Sequence, residues 1–355
     1  MRLLMLGYFG FGNAGDEAIL AAEVEALRSE LGPVDFVVVS GDPAHTGRTH
    51  GLEAVSRTDY RGLVAAIRGC DALVAGGGSL LQDVTSARPV AFYGGVMLLA
   101  RMLRKPVFVY AQGLGPIRRR VNRLLAGLAL RSATYVSLRD EESGALAEAL
   151  GVRGAVQVPD PVLGQTVSGE LAEPGEALAV ALRPWHDQAV WLPEVVAALK
   201  AVDTEIVLVA FHGGQDVELA SEVSAAVGSG ARVVSGDHDR VLAAVAGARA
   251  TLGMRLHALI AAAAAGRPFV ALSYDPKVTA FARQVGQPVA ATLPGPVDPE
   301  ALAGDVRSAL MMEIERYAEY GRYTGRLSEL RAYSRGPAAR IAEIVGPRHD
   351  PGRPG

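Results

Sequence analysis

The chain has 355 residues, half of them apolar and 21% charged, with a formal net charge of −3. That composition describes a globular protein with sizeable cores and room for two domains; it excludes a disordered chain and gives no overall field for nucleic acid. A single cysteine, Cys70, excludes an internal disulfide framework and is expected as a small buried hydrophobe in a reducing compartment. No targeting segment or run of transmembrane length is visible, because glycines and acids follow the apolar Arg2–Leu6 at once, so a soluble, cytoplasmic protein is expected.

In chain order, Arg2–Leu6 reads as a buried strand, then a glycine loop, then a helix from Asp16 to Leu31. Asp35–Ser40, Ala72–Ala75, Pro106–Tyr110 and Tyr135–Leu138 read as strands, and Tyr60–Arg68, Pro89–Leu103 and Asn122–Arg131 as helices, with Gly76–Gly78 as a turn. A polar break lies at Ser168–Glu176, after which the alternation restarts. Ala177–Leu182, Ile206–Ala210, Arg232–Ser235, Ala250–Leu252 and Pro268–Leu272 are strands; Asp216–Val227, Arg240–Ala246 and the alanine run Ala261–Ala265 are helical. Short apolar strands alternating with helices predict parallel sheets covered on both faces. The expected division is a first doubly wound domain over 1–170 and a second over 171–345 that includes a helical tail, with 346–355 disordered.

Ligands of such sheets bind at the carboxyl ends of strands, and the chemistry-bearing clusters all fall there. Gly10-x-Gly12-x-x-Gly15 matches the dinucleotide fingerprint, but two aromatics intervene and the acids Asp16 and Glu17 at the helix start would oppose a pyrophosphate. Asn13 and Asp16 are instead candidates for contact with a hydroxylated substrate, Asp16 as base or as helix cap. Gly76-Gly77-Gly78-Ser79, with Asp83 beyond, predicts close backbone approach and a nest of N–H donors, and Gln112 follows the next strand. Arg139 ends another strand, where it can grip a carboxylate or phosphate or pair with a neighbouring acid. In the second half, Arg183, His212, the pair Arg255 and His257, and Lys277 all follow strands and predict a cationic site. Arg255 and His257 stand at a strand-to-helix junction in apolar surroundings, where an anion would explain them.

From Val84 to Arg139 there is no Asp or Glu, but ten basic residues. This is either a solvated basic face or a contact with an anionic membrane surface or lipid-linked pyrophosphate. No zinc spacing, P-loop, GxSxG or HExxH motif appears, so no metal is expected.

Taken in order, Gly7–Leu20, Gly76–Ser86, Gln112–Ile117, Ser137–Asp140, Asp160-Pro161, Arg183-Pro184-Trp185, Gly253–Leu259 and Ser273–Val278 resemble the polysaccharide pyruvyl transferase family, nearest to its CsaB type. The resemblance implies two facing Rossmann-like domains of GT-B architecture. It implies phosphoenolpyruvate as donor, no separate cofactor, and as acceptor a lipid-linked sugar, an N-acetylmannosamine bridged at its 4 and 6 hydroxyls, in secondary cell wall polysaccharide that anchors an S-layer. It carries the donor-binding role onto Arg139, Arg255 and Lys277 and the catalytic roles onto His257 and Asp16. The other readings are a nucleotide-sugar glycosyltransferase or epimerase of the same architecture, and a non-catalytic anion-binding protein.

Overall fold

The computed structural model describes residues 1–84, 86–165, 175–228, 231–312 and 317–346. These form two compact units. Unit 1 contains 1–11, 19–161 and the described residues from Ser334 on; unit 2 contains 12–18 and the described residues of 162–333.

The sheet of unit 1 is built from β1 (Arg2–Phe9), β2 (Asp35–Ser40), β3 (Glu53–Ser56), β4 (Ala72–Ala75), β5 (Gly78–Leu81), β6 (Val107–Leu114), β7 (Tyr135–Leu138) and β8 (Val156–Gln157). Its order is β3-β2-β1-β4-β6-β7-β8, with β5 paired to β6, and the pairs are parallel. Strand alternation sends Leu4 and Leu6 of β1 to one face and Leu3 and Met5 to the other. The Leu4 face packs on α3 (Tyr60–Gly69), α4 (Arg88–Met102), α5 (Arg120–Ser132) and α6 (Glu141–Ala149). The Leu3 face packs on α1 (Ala14–Leu31) through Leu20, Val24 and Leu27, and on the C-terminal helix through Ala338 and Ile341. Both faces being covered is why the strands read as unbroken apolar runs. A helix the hydrophobic pattern does not show, α2 (Pro43–His50), carries no apolar periodicity; Asp42 caps it by accepting from His45 N, and Pro43 opens it.

In unit 2 the strands β9 (Leu178–Ala181), β10 (Ile206–Val209), β11 (Ala231–Val234), β12 (Ala250–Gly253), β13 (Phe269–Ser273) and β14 (Val289–Thr292) form a parallel sheet of order β11-β10-β9-β12-β13-β14. One face packs on α7 (Gln188–Lys200), α8 (Gln215–Val227) and α12 (Pro299–Leu310), with Trp191 fully buried. The helices α9 (His238–Ala246), α10 (Leu256–Ala264) and α11 (Pro276–Val285) complete the unit, and Phe269 of β13 stacks on Phe281 of α11 at 5.8 Å. Helix α13 (Tyr317–Ser334) is tied to this unit by the Tyr323 hydroxyl, which donates to Arg267 O at 2.8 Å.

The units differ from the expected division in two places. The last helix, α14 (Gly336–Val345), packs in unit 1, because its apolar side joins the Leu3 face of that sheet. Residues 12–18 group with unit 2, for reasons given by their contacts below. The break read at Ser168–Glu176 falls mostly outside the described residues, and the terminal Arg348–Gly355 falls entirely outside them.

Candidate functional site

The strand order of unit 2 reverses between β9 and β12, the position where doubly wound sheets receive ligands. Met254 N and Arg255 N both donate to Ala181 O, at 2.9 and 3.3 Å, which closes the end of the sheet at that point. Arg255 then occupies the N-cap position of α10, so His257 lies in the first turn, where N–H groups favour negative charge.

Arg255 has a partner that sequence reasoning did not assign. Its Nε donates to Asp216 Oδ2 at 2.9 Å and its Nη2 to Asp216 Oδ1 at 2.5 Å, a bidentate pair. The Asp216 side chain is fully buried and that of Arg255 is 16% exposed. Asp216 also accepts from His212 N at 3.0 Å, so one carboxylate fixes both the arginine and the turn that follows β10. The signal in the sequence was an acid four residues after His212 at the start of a helix, which reads equally as a dipole-compensating acid.

The glycine loop joins this cluster. Gly10 and Gly12 take positive φ, 76° and 70°, so they form a tight turn. Beyond it Asn13 bridges to His212, and Ala14 N donates to Phe211 O at 2.8 Å. Asn13 Oδ1 accepts from Gly15 N at 3.1 Å, and its Nδ2 donates to Asp16 Oδ2. A Cβ on Gly15 would lie 2.2 Å from Nδ1 of His257, so the imidazole sits directly on the Gly15 backbone, next to Asp16 in the chain. Asp16 is itself buried. Unit 2 thus brings together Asn13, Asp16, His212, Arg255 and His257 from three stretches of sequence.

Arg183, after β9, is held by aromatic faces: its guanidinium carbon is 4.7 Å from the Tyr274 ring centre and 5.1 Å from that of Trp185, and its Nη1 donates to the Tyr274 hydroxyl at 3.0 Å. Lys277, in the first turn of α11, has its Nζ 3.4 Å from Asp275 Oδ2, and Asp275 caps the same helix.

In unit 1, Arg139 is buried and engaged. Its Nη1 donates to Asp160 Oδ2 at 3.2 Å and its Nη2 to Ser79 Oγ at 3.0 Å. Gly113 leaves room for it: a Cβ there would lie 2.9 Å from Nε and Nη2 of Arg139. The triple glycine differs from the expected turn and nest. Gly78 begins a short strand, Gly76 N donates to Leu6 O at 2.9 Å, and Gly77 N donates to Glu23 Oε1 at 2.6 Å, so two of the three N–H groups are spent inside the core. Gln112 Nε2 donates to Gly76 O at 3.2 Å and holds the same segment. Glu23, on α1, was not picked out from the sequence because it reads as one more helix acid. It is completely buried, and desolvation raises its pKa well above the usual carboxylate range against the lowering effect of the Gly77 N–H.

Asp83 serves α5. Its Oδ1 accepts from Arg118 N at 2.7 Å, and its Oδ2 from Arg119 N at 2.9 Å and Asn122 Nδ2 at 3.1 Å. Desolvation works to raise its pKa, but these donors outweigh it and hold the carboxyl below its ordinary value. Among the described residues no group of three or more His, Cys, Asp or Glu is placed to hold a metal ion.

A model of the family described as polysaccharide pyruvyl transferase matches residues 13–276. No curated protein sequence matches the chain. Among solved structures, it is similar to UDP-GlcNAc 2-epimerase from Neisseria meningitidis bound to UDP-GlcNAc, with 12% identity, TM-score 0.62, and 97% of this chain and 99% of that one covered. The UDP-GlcNAc 2-epimerase of Methanocaldococcus jannaschii aligns with 13% identity and TM-score 0.62 over 97% and 99% of the two chains. A UDP-glucosyltransferase from Polygonum tinctorium aligns with 13% identity and TM-score 0.57 over 97% and 98%. Those likenesses establish the fold, two parallel-sheet α/β domains of GT-B-like architecture with a C-terminal helix. The family match extends from Asn13 to Pro276, about three quarters of the chain, and the chain belongs to the polysaccharide pyruvyl transferase family.

Proposed function

We propose that the protein transfers the enolpyruvyl group of phosphoenolpyruvate to two hydroxyls of one sugar, forming a ketal and releasing inorganic phosphate. Beyond the family membership, the observation that carries this reading is the seating of His257 on Gly15, which places an imidazole beside the residue that precedes Asp16. His257, a group suited to proton transfer, thus sits in the first turn of a helix whose N-terminus favours an anion, against the residue that precedes Asp16.

His257 supplies a proton to the methylene carbon of the donor, so positive charge develops on the adjacent carbon. A sugar hydroxyl adds to that carbon and gives its proton to Asp16. The second hydroxyl then forms the second C–O bond as the bond to phosphate oxygen breaks, and its proton leaves with the phosphate. Arg255 and Lys277 bind the donor's negative charge. In the Asp216 pair Arg255 uses Nε and Nη2, which leaves Nη1 as its edge for the donor. Arg139 is assigned to the donor by the family resemblance alone. The acceptor is a lipid-linked N-acetylmannosamine bridged at its 4 and 6 hydroxyls, as in the CsaB type, and Asn13, Arg183 and His212 are assigned to its side of the site.

The test is incubation with phosphoenolpyruvate and an N-acetylmannosaminyl acceptor, following phosphate release and ketal formation by mass spectrometry. Stoichiometric phosphate and ketal are expected, with transfer lost in His257→Ala while phosphoenolpyruvate binding persists. Turnover of a nucleotide sugar instead, or binding of phosphoenolpyruvate with no phosphate release, would overturn the reading.

A further inference from the structure

One face of α5 has the composition of a helix that lies in a membrane interface. At about 100° per residue, Arg120, Arg131, Leu124, Leu128 and Val121 follow one another across a single arc, while Asn122, Ala126, Ala129 and Leu130 turn inward. Val121, Leu124 and Leu128 are 76%, 62% and 44% exposed, so three aliphatic side chains form a stripe open to solvent.

The surroundings of the stripe are cationic and fixed. Arg118, Arg119 and Arg120 are exposed at the start of the helix. The backbone N–H groups of Arg118 and Arg119 are held by Asp83, so this end of the helix does not depend on its side chains for its shape. Arg131 stands at the other end, its Nη1 donating to Leu150 O at 2.5 Å. No acid occurs between Val84 and Arg139 to offset these charges.

We propose that this face docks the protein on an anionic bilayer surface, with the three aliphatic side chains entering the headgroup layer and the arginines meeting lipid phosphates. Apolar centre and cationic rim together are what such a surface selects. A single-stranded nucleic acid would call for aromatic platforms, and this face has none. A second copy of the chain, meeting it across a two-fold axis, would set one arginine rim against another. The proposal stands on this face and does not depend on the transferase reading, so it is tested by binding without turnover.

The experiment is co-sedimentation of the full chain with vesicles of phosphatidylcholine alone and of phosphatidylcholine mixed with phosphatidylglycerol. Binding to the anionic vesicles is expected to be roughly tenfold tighter or more and to weaken with added salt. The triple variant Val121→Ser, Leu124→Ser, Leu128→Ser and the double variant Arg119→Ala, Arg120→Ala are each expected to lose that preference while melting at the parent temperature. Anionic-vesicle binding that survives the triple variant overturns the proposal. So does equal binding to both vesicles, tighter retention on a single-stranded nucleic acid, or a dimer that the triple variant converts to monomer with no vesicle binding by the parent.

Discussion

The imidazole of His257 occupies the space into which a side chain at Gly15 would project, with Nδ1 and Cγ only 2.2 and 2.6 Å from an ideal Cβ. Gly15 lies in the first turn of α1, where alanine would otherwise be favoured by up to about 1 kcal/mol. The sign of the effect therefore reports the contact. Gly15→Ala is expected to destabilise the protein by about 1–3 kcal/mol and to abolish transfer, as read by thermal unfolding and phosphate release. A variant as stable as the parent would show that the ring has no such neighbour.

Asp216 is expected to matter through Arg255. Removing one partner of a buried bidentate pair leaves the other charge uncompensated, so Asp216→Ala should cost on the order of 3 kcal/mol. A double-mutant cycle with Arg255→Gln should return a coupling above about 1 kcal/mol. Additive losses would mean that the two side chains do not act as a pair. Arg255→Lys is expected not to restore activity, because an ammonium cannot reproduce the planar fork.

Burial raises the Glu23 pKa, so the folded protein holds this proton where the unfolded chain, near pH 4.3, has lost it. Its contribution to stability is full below the unfolded value and is lost as pH rises through the folded one. Within that window stability should fall by about 1.4 kcal/mol per pH unit from this group. Glu23→Gln keeps an acceptor for Gly77 N and is expected to flatten the slope, measured by urea unfolding across pH. An unchanged slope would place the ionisation elsewhere.

Asp83 titrates in the opposite sense. Its donors hold the folded pKa down, so its contribution is present above the unfolded value and is lost as pH falls through the folded one. Because Arg119, at the N-cap of α5, makes no side-chain cap, Asp83 serves in its place from a distant loop. Asp83→Ala is expected to cost about 1 kcal/mol at neutral pH and to remove part of the acid sensitivity. Amide exchange at residues 118–122 that matches the parent would contradict this.

The alternation of strands and helices was legible in the sequence because both sheets are buried on both faces, which leaves unbroken apolar runs such as Leu178–Ala181. The strand ends, and with them Arg139, Arg183, Arg255 and His257, were legible for the same reason. What pairs with those residues was not. Asp216 and Glu23 look like ordinary helix acids until the fold brings each against a partner far away in the chain. Helix α2 is not legible in the sequence because its start is set by Asp42 and Pro43 rather than by apolar periodicity. The placement of 12–18 depends on a bridge from Asn13 to His212, which no local pattern encodes.

That placement has a consequence for how this protein can be cut and recombined. Each unit is discontinuous in sequence: the turn bearing Asn13 and Asp16 precedes nearly all of unit 1, and α14 follows nearly all of unit 2. A crossover at residue 161, the apparent seam, would give a chimera the glycine turn of one parent and the His212 and His257 of another. Homologous shuffling therefore has to inherit residues 12–18 together with the second half of the gene, and α14 together with the first.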